Sequence, residues 1–211
     1  MLWQASRLGV AAFVGEVSGG IITTVFNFIV LGIAGNTGVA AYGVIANFAI
    51  VATGMFNGIA QGSQPLVSEY YGAGKTDNAR KVLRMGVGAA AVLSAVLLAV
   101  VMLLAEPMVG LFNSEGSAEL AALAEQGIRL YFIGFVMAGY NIISTAYLSA
   151  SEKAVSAFVV AVLRGFAAVI VFAFVMSAFW GMTGVWLAFP AAELLTALVS
   201  FVALRKSKKT E

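Results

Sequence analysis

The stretch 82–104, VLRMGVGAAAVLSAVLLAVVMLL, carries one ionisable side chain, Arg84, near its start and none after it. At about 1.5 Å of rise per residue it is long enough, as a helix, to cross roughly 30 Å of hydrocarbon. It is too long and too continuously apolar for a barrel strand, which is shorter and alternates. Five further stretches read the same way, over 8–33, 39–66, 128–150, 154–179 and 182–204, followed by a basic tail at 205–211. In lipid every backbone amide needs a partner inside its own segment, so these stretches predict an all-α polytopic membrane protein with six transmembrane helices. The first stretch begins close to Met1 but exceeds a signal-peptide core, and it is kept as a helix.

Composition agrees with that reading. The hydrophobic fraction of 61% and the mean hydropathy of +0.97 exceed the roughly 45–50% apolar usage of soluble domains. Six spans within 211 residues leave only short links, so one membrane unit without a soluble domain is expected. Cys and His are both absent, which removes disulfides, thiolate chemistry, haem ligation and the common zinc motifs. Asp77 is the only aspartate, so no paired aspartates exist for intramembrane hydrolysis. The chain is therefore expected to be no enzyme and to need no cofactor or metal centre. The sequence pI of about 9.0 comes from basic residues that follow helix ends instead of forming a patch, which argues against nucleic acid.

The links carry turn chemistry: Gly35, Asn36 and Gly38 in the first, and Gly72 to Asp77 in the second. The third, 106–126, is the longest, and its Glu115, Glu119 and Glu125 suggest a short amphipathic piece at the interface. Pro65 is expected to end or bend the second helix. With a cytoplasmic amino terminus, the inner side collects Arg7, Lys75, Arg80, Lys81, Arg84, Lys153, Arg164 and the basic tail, and only Arg129 falls outside. The positive-inside rule thus predicts that both termini face the cytoplasm, in a plasma membrane or a Gram-negative inner membrane. Gly54, Gly58 and Gly62 recur every fourth residue on the second helix, a groove expected to admit a neighbouring helix closely.

Charges inside the spans mark the candidate site. Counting along the helices places Glu16 roughly 12 Å deep and Asn141 roughly 13 to 14 Å, while Arg164 lies roughly 15 Å and Glu193 roughly 16 to 17 Å deep. Equal depth on consecutive antiparallel helices predicts that Arg164 meets Glu193, as a structural ion pair or as part of a cavity. No basic residue of the first four helices matches the depth of Glu16, so that carboxyl is protonated, faces water, or binds a cation. It is a candidate for ion coupling, with Asn141 at its level. Asn27, Asn47, Asn57, Gln61 and Gln64 suggest a polar wall, with Phe26, Phe28, Phe48, Phe56, Met137 and Tyr140 as an adaptable counterface. Such a surface suits amphipathic organic cations. Asn27, Gln61, Gln64, Met137 and Tyr140 are the expected substrate-cavity residues.

Several segments are familiar in order: Glu16-Val17-Ser18-Gly19-Gly20-Ile21, Val25-Phe26-Asn27, Gly38-Val39-Ala40-Ala41-Tyr42-Gly43, Gly58-Ile59-Ala60-Gln61-Gly62-Ser63-Gln64-Pro65-Leu66, and Tyr71-Gly72-Ala73-Gly74. With Gly139-Tyr140-Asn141, Gly184-Val185-Trp186-Leu187-Ala188-Phe189-Pro190 and Glu193, the chain resembles the carboxy-terminal six-helix lobe of a MATE (multidrug and toxic compound extrusion) transporter. The resemblance implies a lobe of an antiporter that exports cationic or amphipathic compounds in exchange for protons or sodium. It implies that Glu16 stands at an acidic position used for coupling in some members. Asn141 stands where some members carry a second carboxylate, which favours a proton over a multi-carboxylate sodium site. It further implies a partner, either an amino-terminal lobe in a longer gene product or a second copy in a half-size protein. Two other readings remain open at this point: a lipid-linked saccharide flippase of the same superfamily, and a non-transporting membrane fragment or subunit. The flippase would want several deep Arg or Lys residues, and Arg164 alone is deep.

Overall fold

The computed structural model describes the backbone over residues 2–209 and the side chains over 19–206. About 92% of the chain is helical, in α1 (Leu2–Gly72), α2 (Thr76–Gly110), α3 (Ala118–Phe132), α4 (Phe135–Ala150), α5 (Ala154–Val162), a π-helical turn (Leu163–Ala167) and α6 (Ala168–Lys209). Three stretches, Gly19–Gly72, Thr76–Gly110 and Ala154–Lys206, are long and apolar enough to cross a membrane, and the bent pair of α3 and α4 is a fourth.

The longest helices are folded back on themselves. Gly35 sits inside α1 at φ 59° and ψ −154°, a left-handed conformation that only glycine adopts without strain. Phe26 and Tyr42 on either side of it would lie about 24 Å apart along a straight helix. Their rings stack with centroids 5.1 Å apart, so the chain reverses at Gly35. Gly181 does the same in α6, at φ 55° and ψ −134°. Just beyond it Gly184 lies so close to the Met176 carbonyl that a Cβ would overlap it. In α2 the break is milder, at Leu104 (φ −119°, ψ 19°), where Pro107 three residues on removes an amide and crowds the preceding turn.

Two details differ from the sequence reading. Pro65 neither ends nor breaks its helix, which continues to Gly72. The amide it lacks would have bonded to the Gln61 carbonyl, and Gln61, Gly62 and Pro65 all lie on an exposed face where no neighbour is disturbed. The fourth stretch starts not at 128 but at Ala118, where Ser117 caps α3 by accepting from the Leu120 amide at 3.3 Å. It then bends by 45° between Phe132 and Phe135.

An aromatic column forms the core. Phe26, Phe56, Phe132 and Phe135 are fully buried, Tyr131 stacks on Phe189 at 4.3 Å, and Phe56 stacks on Phe135 at 6.2 Å. Outward positions are apolar as well: Phe28, Met85, Leu103 and Phe179 are each more than 70% exposed. Such a surface would be unfavourable in water and is the expected one against lipid.

Candidate functional site

The downstream half of α1 turns one face to a cavity of about 770 Å³. Thr53, Asn57, Gln61 and Gln64 line it at helical spacing, with Gly54 among them. Thr145 and Ser149 from α4, Arg164 from the π-helical turn, Phe189 and Glu193 from α6, and Tyr42 and Tyr131 line it as well.

At the deep side of the cavity the charges are organised. Glu193 is 1% exposed, and its Oε1 lies 3.1 Å from Nε of Arg164 without the alignment of a hydrogen bond. Asn141, fully buried, donates through Nδ2 to Oε2 of Glu193 at 2.7 Å and to its backbone carbonyl at 2.8 Å. Ser200 in turn donates to Oδ1 of Asn141 at 3.2 Å. Each carboxylate oxygen thus has a polar neighbour, as an acid held out of water requires. Arg164 reaches Glu193 from a π-turn, whose extra residue shifts side chains around the helix axis and which recurs at functional sites.

The sequence-predicted residues divide accordingly. Arg164 meets Glu193 as the depth count expected, and both line the cavity with Gln61 and Gln64. Asn27, Met137 and Tyr140 are half-buried and lie outside the lining. Ile142, Thr145, Ala146 and Ser149 define the cavity face of α4, and Met137 and Tyr140 fall on the other side of that helix by its 3.6-residue period. Asn47 donates to the carbonyl of Gly43 in its own helix at 2.9 Å. Phe26 and Phe56 belong to the core, not to the cavity counterface. Asn141, matched in depth to Glu16, is instead bound to Glu193; Glu16 lies outside the residues whose side chains are described. Gly54, Gly58 and Gly62 receive no helix among the described residues: a methyl on any of them would meet none of their atoms within 4 Å. The close-packed glycines are others, for a Cβ on Gly127 would lie 2.8 Å from Cε2 of Trp186, and one on Gly139 2.6 Å from Cε1 of Phe56. Tyr42, Tyr131, Thr53 and Thr145 were not among the expected cavity residues. Their polarity is too slight to stand out, and the α1 periodicity that includes Thr53 was the signal available. Among the described residues no three His, Cys, Asp or Glu side chains gather as a metal site.

The arrangement has known counterparts. A MATE transporter in complex with MaL6 superposes with a TM-score of 0.93 at 17% identity, over 99% of this chain and 47% of that one. An outward-facing multidrug resistance MATE transporter of the MOP superfamily gives 0.90 at 17% identity, over 97% and 46%. In sequence, the multidrug export protein MepA of Staphylococcus aureus (strain NCTC 8325 / PS 47) is 26% identical over 204 residues, 96% of this chain and 44% of that protein. Its namesake in Staphylococcus saprophyticus is 22% identical over 202 residues, again 96% and 44%. The chain therefore spans less than half the length of the curated relatives it matches. The MatE family model matches residues 12–175, and the chain belongs to the MatE family.

Proposed function

We propose that this chain is the carboxy-terminal six-helix lobe of a cation-coupled antiporter that exports amphipathic or cationic organic compounds across the plasma membrane. The observation that carries the reading is the cavity of about 770 Å³, in which an amide-bearing wall faces aromatic rings and one deep charged pair. A space of this size with a few placed polar groups suits a small organic molecule. The reversals at Gly35 and Gly181 support six spans, and the basic residues at alternate links support cytoplasmic termini. The cavity is walled on one side only by this lobe's exposed Gly54, Asn57 and Gln61. The second wall comes from an amino-terminal lobe or from a second copy. Glu16 carries the coupling ion, a proton in preference to sodium, and competition between ion and substrate drives release.

The test uses the complete transporter in vesicles loaded with a fluorescent cation and given an imposed pH or sodium gradient. Glu16→Gln keeps size and hydrogen bonding but fixes a neutral side chain, so binding should persist while gradient-driven efflux is lost. Undiminished efflux by this variant returns Glu16 to a structural role.

A further inference from the structure

One face of α2 is left without a neighbour among the described residues. Lys81, Arg84, Met85, Gly88, Val92 and Val96 succeed one another at helical spacing, which puts them on one side of the helix, and all are exposed, Met85 at 74% and Val92 at 67%. No residue of α2 lines the cavity, so this stripe stands apart from the site already described. Arg84 lies inside the apolar run that begins at Val82, yet it is exposed instead of packed against another helix. Asp77, the acid of the first turn, lies 3.4 Å from Arg80. Lys81 and Arg84 have no acidic partner among the described residues. Below them a methyl on Gly88 would meet nothing within 4 Å, so with Ala89 it leaves a notch between Met85 and Val92.

We propose that Lys81, Arg84 and the notch at Gly88 form a binding site for an anionic glycerophospholipid, with its phosphate on the two basic side chains and one acyl chain along Met85, Val92 and Val96. Charge complementarity selects this occupant. Two unpaired cations stand at the head of a bare apolar strip, and an anionic lipid carries the opposite charge above hydrocarbon in the same order. The lengths agree as well: Met85 to Val96 covers about 16 Å of helix axis, close to one leaflet's half of roughly 30 Å of hydrocarbon. Long basic side chains reach toward the headgroups while their stems stay in the apolar layer, so Arg84 can meet a phosphate from within the span.

The test is native mass spectrometry of the purified complete transporter, carried in detergent with phosphatidylglycerol and phosphatidylcholine of equal chain length. Both lipids have the phosphate, but only phosphatidylglycerol has a net charge, and the wild type should retain it about tenfold better. The double variant Lys81→Gln with Arg84→Gln should bring the two lipids within about threefold of each other. Arg129→Gln removes an exposed basic residue from α3 and should leave the preference as it is. Gly88→Leu fills the notch without touching a charge and should lower phosphatidylglycerol retention about threefold. All four positions are exposed, so these changes leave the packed core alone. Equal retention of both lipids by the wild type overturns the site, as does an unchanged preference in the double variant or an equal loss in Arg129→Gln, which would mean diffuse charge. Full retention by Gly88→Leu overturns the acyl-chain groove. Displacement of the lipid by glycerol 3-phosphate, which has the phosphate and no chains, would make this a soluble-anion site and sink the lipid assignment.

Discussion

Asn141 and Glu193 are joined twice through a single amide nitrogen, which donates to the carboxylate at 2.7 Å and to the backbone carbonyl of the same residue at 2.8 Å. This bond set ties α4 to α6 and fixes the direction in which the acid faces Arg164. A buried acid so held can serve the cavity without wandering among rotamers.

Replacing Asn141 by Leu keeps volume but strands two acceptors of Glu193, and should cost about 1–3 kcal/mol. Asn141→Asp should cost more, because a second carboxylate would face the first within a dry site. Melting of the detergent-solubilised protein reads both. An unchanged melting temperature in the Leu variant would mean that the clamp contributes nothing.

The ion pair gives a second expectation. Removing Arg164 or Glu193 alone should each cost about 3–5 kcal/mol by leaving one charge buried and unpaired. Removing both should cost less than the sum, with a coupling of about 1–3 kcal/mol. Additive losses in denaturation would show that the two charges act independently despite their 3.1 Å separation.

The glycines should separate into two classes with opposite signs. Gly54→Ala, Gly58→Ala and Gly62→Ala meet no neighbour among the described residues and gain helix propensity, so in this lobe each should be neutral or stabilising by up to about 1 kcal/mol. Gly127→Ala and Gly139→Ala press a methyl into Trp186 and Phe56 and should destabilise by about 1–3 kcal/mol. A stability scan in which the two groups behave alike would contradict the packing described.

Orientation is checked with single cysteines at two exposed link positions, Lys75 and Ser114. Charge asymmetry puts the first inside and the second outside. An impermeant thiol reagent applied to intact cells should therefore label Ser114→Cys and spare Lys75→Cys, and the reverse pattern would invert the topology.

Some of the site was legible in the chain before any coordinates. The Arg164–Glu193 contact followed from depth, because rise per residue is constant and the two residues lie on consecutive antiparallel segments. The same count put Asn141 roughly 13 to 14 Å and Glu193 roughly 16 to 17 Å deep, a difference that two side chains span, yet depth alone does not say which helices are neighbours, and the Asn141–Glu193 contact between α4 and α6 came from the packing. Pro65 was expected to end or bend its helix because its local chemistry disfavours continuation. It continues because the missing bond falls on a face with nothing packed against it.

The sequence by itself determined that the chain lives in lipid, where it reverses, and that its few deep charges must find partners, since hydropathy, glycine conformation and the cost of an unpaired ion are local properties. Which residues share a cavity was decided only by tertiary structure. Gly54, Gly58 and Gly62 have the spacing of a packing groove yet meet no neighbour among the described residues, while Gly127 and Gly139, with no such pattern, hold the helices together. Spacing fixes which residues lie on one side of a helix, but the rotation of that helix about its axis is set by the aromatic column running through Phe56, Phe135 and Phe189, and that column forms only when all the helices pack.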